Sequence, residues 1–398
     1  MVLEPEDPNA RFRARRFAAA KRRRRHRAAG LVVLAGAGAV VALGAQAMGE
    51  SGSGSTESRV TSTEERRARA ARPVPAPPQP RPLPAEMRGV HVTMPLASLR
   101  GRLDQYLSVP GLNTLELDIK DENGEVGFVF GAPRLARKIG AAKRYYRPRQ
   151  VVAKTRKRGV YLIGRLVVFQ DPMLAEARPE LAVRTADGSV WRTSAGHAWA
   201  NPYDRRVWAY NVAVAKAAAK AGFDEIQFDY VRFPSDGDIE SAVFRGKRNE
   251  AMSATIARFV HYATNRLRPM GARVSVDVFG LSATRNLGIG QSPRRLAKIV
   301  DAIYPMVYPS HYSSGEYGLA SPVSVPGRTV GRSLRDFRRQ MRRGKADLVP
   351  WLEDFSFTGT TTLDHVQDQI RAARRWKTGG FLLWNPSGVY TTGALTTP

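Results

Sequence analysis

The chain of 398 residues contains no cysteine, which excludes a disulfide framework, a thiol nucleophile and a Cys-ligated metal site. Histidine is scarce, with six residues, and the first predicted strand has only His91 where a His-x-His zinc signature needs two. We therefore predict no cofactor and no bound metal. A Gly-rich phosphate loop is also missing after that strand, where the sequence reads VTMPLASLRGR, and this argues against an open dinucleotide-binding sheet.

Acidic residues are outnumbered, with 35 Asp and Glu against 63 Lys and Arg, and the net charge is +28. Residues 1–30 carry +7 and residues 31–85 carry +2, so +19 belongs to residues 86–398. A basic surface attracts polyanions, but no nucleic-acid motif accompanies it, and frequent Arg and Ala fit a general compositional bias. We expect no nucleic-acid partner, and we favour an anionic wall polymer or lipid headgroups.

Long apolar runs are absent except at residues 30–48, which contain no charge and follow the basic run KRRRRHR. A helix of this length spans about 28 Å, the thickness of a bilayer core. The basic flank should stay in the cytoplasm, which predicts a cytoplasmic tail at 1–29, a transmembrane helix and an extracytoplasmic C-terminal part. The alternative is a cleaved signal peptide and a secreted protein, because Ala45-Gln46-Ala47 matches a small-x-small cleavage site.

Residues 49–85 are built from Gly, Ser, Thr, Arg and Pro. The stretch PVPAPPQPRPLP at 73–84 is typical of a stiff, extended spacer. We predict a disordered linker over 49–85 and a single domain over 86–398.

Eight short runs rich in β-branched and aromatic residues alternate with helical patterns from residue 88 onward. The predicted strands are 88–94, 114–121, 159–169, 225–233, 273–280, 302–310, 348–355 and 380–388. The predicted helices are 148–158, 202–221, 247–268, 292–300, 332–343 and 362–377. Strand–helix alternation indicates an α/β protein with a parallel sheet. Eight units over about 300 residues are the count of a closed (β/α)8 TIM barrel, with an open doubly wound sheet as the alternative.

Several of these strands contain charged residues, although a strand covered on both faces should be apolar. Alternation with period two sends Asp118 and Lys120 of strand two, Asp229 of strand four and Asp277 of strand five toward the barrel interior. Arg165 lies on strand three. Active sites of such barrels lie at the carboxyl ends of the strands. These charges therefore either satisfy one another, as an Asp118–Arg165 pair would, or act on a substrate.

Two carboxylates that flank a sugar are the requirement of glycoside hydrolysis, in which one donates a proton and the other attacks or activates water. We predict Asp229 as the nucleophile or charge stabiliser and Asp277 as the acid, with Glu353 or Asp354 as substitutes. The candidate substrate-binding residues are Asp118, Lys120, Arg165, Tyr230, Arg232, Tyr308, His311, Glu353, Asp354 and Trp384. Aromatic residues near the strand ends provide either sugar platforms or core packing; they are Tyr304, Tyr308, Tyr312, Trp351 and Trp384.

Four motifs resemble a bacterial glycoside-hydrolase domain family that was formerly a domain of unknown function: GFDEIQFDYVRFP (222–234), VSVDVFG (274–280), AIYPMVYPSHY (302–312) and PWLEDF (350–355). The resemblance covers residues 88 to about 390 and implies a (β/α)8 barrel related to the α-amylase group. It places Asp229 at the strand-four position where that group has its nucleophile. Chitinases have an acid glutamate two residues later, where this chain has Val231, and the α-amylase group usually has a glutamate on strand five, where this chain has Asp277.

Three functions remain open from the residues. The first is an extracytoplasmic glycoside hydrolase that acts on a wall or capsule polysaccharide. The second is a non-catalytic glycan-binding barrel, and the third is a hydrolase with a carboxylate-rich calcium or magnesium site. A carboxylate pair open to a groove favours the first function, whereas an acid locked to Arg165 or Arg232 without a cleft favours the second.

Overall fold

The computed structural model describes residues 78–247, 249–356 and 361–396. The predicted cytoplasmic tail, the apolar run and the linker up to residue 77 lie outside these residues. None of the helices in the described ranges is long and apolar enough to cross a bilayer.

Parallel strands form a closed barrel. They are β1 Met87–Val92, β2 Thr114–Lys120, β3 Tyr161–Val167, β4 Glu225–Asp229, β5 Arg273–Phe279, β6 Ala302–Met306, β7 Asp347–Leu348, β8 Trp351–Glu353 and β9 Gly380–Trp384. Their order is β5-β4-β3-β2-β1-β9-β8-β6, and β5 also pairs with β6, which closes the ring. Both β7 and β8 pair with β6, so they are two parts of one barrel strand. The interruption contains Pro350, which has no N–H for the ladder. The predicted eight-stranded barrel is confirmed.

Helices lie between the strands and cover the outside of the barrel. They are α1 Met94–Ser98, α2 Arg102–Leu107, α3 Arg134–Lys138, α4 Pro148–Lys157, α5 Pro172–Ala177, α6 Arg205–Ala221, α7 Met252–Leu267, α8 Pro293–Leu296, α9 Pro326–Met341 and α10 Leu363–Arg375. The predicted start of α6 at residue 202 is wrong by three residues. The Asp204 carboxylate caps the helix by accepting the Arg206 N–H, whereas the Asn201 side chain accepts the Tyr203 N–H and holds a turn before it.

Two apolar clusters lie on the two faces of the barrel wall. The larger cluster fills the space between strands and helices, where outward side chains such as Leu115 and Leu117 are fully buried. The smaller cluster fills the barrel interior; its members are Met87, Tyr161, Ile163, Ala302, Tyr304, Tyr308, Val349, Trp351 and Leu382. Glu225, the first residue of β4, accepts the Tyr161 hydroxyl at 3.1 Å among these side chains, whereas Asp118, Arg165, Asp229 and Asp277 lie farther toward the carboxyl ends of their strands.

The predicted inward orientation of Lys120 is wrong. The pairing of β2 with β3 shifts between Asp118, which lies opposite Arg165, and Lys120, which lies opposite Leu166. A one-residue shift of this kind reverses the face to which a side chain points. The Lys120 ammonium is fully buried and donates to Asn211 Oδ1 of α6 at 2.8 Å and to the Asp171 carboxylate, so Lys120 lies outside the barrel.

Candidate active site

A pocket of about 300 Å³ lies at the carboxyl ends of the strands. Eight of the twelve predicted site residues line it: Arg165, Asp229, Tyr230, Arg232, Asp277, Tyr308, His311 and Trp384. Sequence reasoning assigned no site role to several other lining residues, among them Glu122, Phe279, Met306 and Phe355. The barrel therefore gathers carboxylates, cations and aromatic rings from β3 to β6, β8 and β9 around one cavity.

Arg165 is the centre of a buried ion cluster on one side of the pocket. Its Nε and Nη2 donate to Asp229 Oδ2 at 2.9 and 2.7 Å, and its Nη1 donates to Asp118 Oδ1 at 2.7 Å and to Glu122 Oε2 at 3.4 Å. Asp229 Oδ1 accepts the Tyr230 backbone N–H at 2.6 Å. The Asp229 carboxylate thus accepts hydrogen bonds at both oxygens, from a guanidinium and from a backbone N–H, and these contacts fix its orientation.

Asp277 has a different environment from Asp229. Its Oδ1 accepts the Gln227 side-chain amide at 2.5 Å and the Trp351 indole N–H at 2.7 Å. No described residue forms a hydrogen bond with its Oδ2. Burial, together with the negative charges of Asp229 and Glu116, raises the pKa of Asp277 well above its usual value. This shift favours the protonated form of Asp277, and its Oδ2 can present a proton to the pocket.

A second pair of polar groups, His91 and Glu116, lies beside the ion cluster. The Nδ1 of His91 lies 2.5 Å from Glu116 Oε2, and its Nε2 lies 3.6 Å from Asp118 Oδ2. Burial lowers the pKa of His91 to about 4 and raises the pKa of Glu116 well above its usual value. Burial also raises the pKa of Asp118 to about 6, against the opposing effects of His91 and Arg165. Burial thus favours the uncharged forms of both His91 and Glu116, and the carboxylates bonded to Arg165 are those of Asp118, Glu122 and Asp229.

Four predicted site residues do not line the pocket. Asp118 is hydrogen-bonded to Arg165, which lines the pocket in its place, and Lys120 lies on the helix side of β2. The Glu353 carboxylate accepts the Ser310 N–H at 2.8 Å, and burial raises its pKa to about 7. The Asp354 carboxylate accepts the N–H and the hydroxyl of Thr391, which follows β9. Both acids at the end of β8 are thus engaged by neighbouring loops and make poor substitutes for Asp277.

Aromatic side chains form much of the remaining wall of the pocket, and Trp384 lies against Arg165, whose guanidinium carbon is 5.5 Å from the ring centroid. Trp351 and Trp384 pack edge to face with ring centroids 5.7 Å apart, and Tyr308 contacts His311 and Phe355 at 5.1 and 5.6 Å. Tyr312 also lines the cavity. Of the five predicted aromatic residues, Tyr304 alone is absent from the pocket lining; it lies deeper in the inner barrel core, near Tyr161 and Glu225. Sugar rings stack on surfaces of this kind through their apolar C–H faces.

Tyr230 and Arg232 reach the pocket because β4 ends at Asp229. Simple alternation places Tyr230 with the helix-facing Ile226 and Phe228, but Tyr230 adopts a φ of 45°, in the left-handed region that a non-glycine residue rarely occupies. This turn brings the ring to the pocket and lets its N–H bond the preceding carboxylate. Local strain of this kind is often found at functional sites.

Two of the missed residues have recognisable sequence signals. Glu122 is two residues beyond the end of β2, and Phe355 is two residues beyond the end of β8. Side chains in the loops that follow barrel strands build the active-site face, so the position after a strand end is the signal that predicts both residues as part of the site. The described part of the chain contains no group of three His, Asp or Glu side chains arranged to hold a metal ion.

The fold and the site agree with a family assignment. Residues 89–390 match the model of a family described as "Putative glycosyl hydrolase domain". The chain belongs to this glycosyl hydrolase domain family, and the resemblance inferred from the four motifs is confirmed. No curated protein matches the chain.

Solved structures share the barrel fold. The glycoside hydrolase domain of PgaB (BpsB) from Bordetella bronchiseptica is 13% identical with a TM-score of 0.52, over 76% of this chain and 95% of that domain. A class V chitinase from Pseudomonas fluorescens Pf-5 is 12% identical with a TM-score of 0.50, over 79% and 99%. A hypothetical protein from Ruminiclostridium thermocellum ATCC 27405 is 35% identical with a TM-score of 0.43, over 48% and 97%. The first two establish a TIM-barrel fold shared with glycoside hydrolases.

Proposed function

We propose that this protein is an extracytoplasmic glycoside hydrolase that cleaves a polysaccharide with two strand-end carboxylates and without a metal ion. The observation that carries the proposal is the contrast between the two acids in one pocket. Asp229 is paired with Arg165, whereas Asp277 is buried without a cationic partner in hydrogen-bond contact. Environments that separate two acids in this way assign one to the charged role and the other to the proton-donor role.

In the proposed reaction Asp277 donates its proton to the glycosidic oxygen as the bond to the anomeric carbon breaks. Asp229 stabilises the positive charge that develops at that carbon, either by attack or through space. Water then bonds to the anomeric carbon, displacing Asp229 where it has attacked, and the proton that the water loses returns to Asp277 directly or through solvent. Arg165 holds Asp229 in position through two hydrogen bonds. The aromatic wall that contains Trp351 and Trp384 would hold the sugar ring against the two acids.

A glycan-binding barrel without catalysis is the second candidate. Both oxygens of Asp229 already accept hydrogen bonds, Oδ2 from Arg165 and Oδ1 from the Tyr230 N–H. An acid held in this way favours binding over catalysis. The open pocket beside it and the free Oδ2 of Asp277 favour hydrolysis.

The location is a separate part of the proposal. The uncharged run at 30–48 after a basic flank supports export with a retained membrane anchor, or secretion after cleavage. The wall or capsule polysaccharides found outside a bacterial membrane would then be the accessible substrates. Association with an anionic wall polymer is supported by the charge of +19 on residues 86–398.

The test is hydrolysis of a panel of wall, capsule and storage glycans by the full-length chain and by Asp229→Asn. This substitution keeps the side-chain shape and removes its charge. We expect reducing ends to be released by the wild type, with a loss of about 10³-fold or more in the variant, as for removal of a group that acts in the transition state. Asp368→Asn, at a half-buried position on α10 outside the pocket, is the matched control and should keep full activity.

The outcomes separate the candidates. Hydrolysis that persists in Asp229→Asn would place the site elsewhere. Glycan binding by both proteins without hydrolysis by either would establish the binding barrel instead. A thermal unfolding curve for each variant shows whether a loss of activity reflects chemistry or folding.

A further inference from the structure

Arg232 is a buried cation in the pocket wall without a carboxylate partner. The residue is 6% exposed and lies three positions beyond the end of β4. Its guanidinium carbon lies 5.0, 4.8 and 4.9 Å from the ring centroids of Trp199, Tyr230 and Phe279. Aromatic faces attract a cation but supply no counter-charge. Within the described ranges no Asp or Glu oxygen lies at ion-pair distance from this guanidinium.

The hydrogen bonds of Arg232 use only one of its three nitrogens. Nη1 donates to the Phe233 carbonyl and to Ser235 Oγ, both at 3.1 Å. Its Nε and Nη2 have no acceptor in the part of the chain that the structure describes. Neither nitrogen is fully buried, and the residue lines the pocket. The edge formed by Nε and Nη2 therefore faces the open cavity.

Arg165 shows what a satisfied guanidinium looks like in the same pocket. Its Nε and Nη2 are both bonded to Asp229, and its Nη1 serves Asp118 and Glu122. All three nitrogens of Arg165 are thus engaged and one of its five N–H groups is left over, whereas Arg232 has three N–H groups without an acceptor among the described residues, on Nε and Nη2. The pocket therefore has an acidic catalytic side with its own cation, and a second cation that has no carboxylate at ion-pair distance in the described residues and has free N–H groups.

Asp229 and Asp236 stabilise the charge of Arg232 only from beyond ion-pair distance. A ligand anion in direct contact would offset more of the cost of burying the guanidinium. Burial is also the largest influence on Arg232, and it lowers the pKa of the group. A carboxylate matches the free edge because its two oxygens accept two parallel N–H bonds in the plane of the guanidinium. Rings on three sides of Arg232 confine the approach to that edge.

We propose that Arg232 binds the carboxylate of an acidic sugar, so that the substrate of this pocket is a glycan that contains uronic acid. This inference rests on the proposed glycoside-hydrolase function and names the substrate class of that site. The acidic sugar would place its carboxylate at Arg232 and its glycosidic bond near Asp229 and Asp277, which line the same cavity.

The test is calorimetric binding of uronic-acid oligosaccharides from pectin, alginate and hyaluronan to the full-length chain, each beside its carboxyl-reduced neutral form. A sulfated galactan oligosaccharide distinguishes a carboxylate site from a general oxyanion site. We expect at least one acidic oligosaccharide to bind about 10- to 100-fold more tightly than its reduced form, the range for a charge-assisted contact. Arg232→Met should abolish this preference, because it fills the aromatic slot without charge, and Arg232→Lys should retain part of it.

Arg266→Gln is the control, since Arg266 also stacks on an aromatic ring, that of Tyr262, but lies outside the pocket. Equal binding of acidic and reduced forms by the wild type, or no binding of any acidic form, would overturn the inference. Tighter binding of the sulfated ligand would overturn the assignment to a carboxylate. Tighter binding of the acidic oligosaccharide without any hydrolysis would refute the proposed hydrolase function and keep the assignment of Arg232. Hydrolysis of neutral glycans that Arg232→Met leaves unchanged would support the hydrolase function and refute the assignment of Arg232.

Discussion

Asp277 and Asp229 are the same residue type at the ends of neighbouring strands, yet their surroundings assign them different chemistry. Asp229 accepts two hydrogen bonds from a guanidinium, and Asp277 accepts hydrogen bonds from an amide and an indole. Burial and the neighbouring charges of Asp229 and Glu116 raise the pKa of Asp277, against the opposing effect of the Trp351 hydrogen bond. The choice of the acid in the proposed reaction thus depends on the burial and charge around Asp277, and Gln227 and Trp351 fix the orientation of its carboxyl group.

Asp277→Asn should separate proton donation from the other steps. The amide keeps the shape but cannot donate the proton, so we expect hydrolysis of natural glycosides to fall by about 10²- to 10⁴-fold. A dinitrophenyl glycoside of the same sugar needs no proton on its leaving group, and its hydrolysis should be retained. The measurement is kcat/KM for both substrates across pH 5–9. In the wild type, loss of the Asp277 proton produces a fall on the alkaline side, which the variant should lack for the natural substrate. Equal losses on both substrates would contradict the acid role.

Glu353 provides a prediction on stability rather than activity. Burial raises its pKa from 4.5 to about 7, so the folded state holds this proton more tightly than the unfolded state. Its contribution to stability is complete below the unfolded pKa and is lost as pH rises through about 7. Glu353→Gln removes the titration and keeps an acceptor for the Ser310 N–H.

We therefore expect the free energy of unfolding of Glu353→Gln, relative to wild type, to increase by about 2–3 kcal/mol between pH 5 and pH 8. Urea unfolding at the two pH values measures this difference. The same exchange at Glu176, which is exposed on α5, controls for removal of a surface charge. A relative stability that stays constant or decreases with pH would show that Glu353 is ionised throughout.

At the scale of secondary-structure elements, the bulge in β2 separates two buried cations, Arg165 and Lys120, that the sequence pattern placed inside the barrel. Asp118 stays inside the barrel with Arg165, while Lys120 is turned to α6 and pairs with Asp171. The bulge leaves no trace in the hydrophobic alternation, because Lys120 continues the polar set of Glu116 and Asp118. Lys120 thus joins the strand to the helix layer and to the capped start of α5, where Asp171 accepts the Leu174 N–H.

Lys120→Met should destabilise the fold by about 3–5 kcal/mol, because it leaves the Asp171 carboxylate buried without its cation. The double variant Lys120→Met/Asp171→Asn should recover part of this loss, since the amide is neutral and its oxygen can still cap α5. Denaturant unfolding measures both. Because Lys120 lies outside the pocket, kcat/KM at a temperature where the variant stays folded should match the wild type. A selective loss of substrate affinity would instead support the original assignment of Lys120 to the site.

The whole molecule shows which levels of organisation can be read from its sequence. The alternation of strands and helices predicted the barrel, because the hydrophobic period and the length of each segment depend on residues close together in the chain. The site was predicted for residues on or just after the strands, such as Asp229 and Asp277. Glu353 and Asp354 were misjudged because Pro350 interrupts the strand before them and nearby loops engage their carboxylates. The His91–Glu116 pair was missed because the cross-strand register that joins β1 to β2 is not encoded in either strand alone.

Export is the prediction that concerns the whole chain. If residues 30–48 are a retained anchor with the basic flank in the cytoplasm, the barrel domain should be degraded by protease added to intact spheroplasts, and the chain should stay in membranes after a carbonate wash. Cleavage after Ala47 would instead give a soluble protein outside the cell, whose first residue by N-terminal sequencing is Met48.

Leu34→Arg/Val41→Arg is the matched control for this experiment, because two charges in the apolar run make insertion costly by several kcal/mol. It should keep the barrel protected inside the cell under either mode of export. A wild-type chain that is protected from protease and soluble in the cytoplasm would contradict the location. A hydrolase kept there would act on intracellular glycans, and the positive charge of residues 86–398 would then need a partner other than a wall polymer.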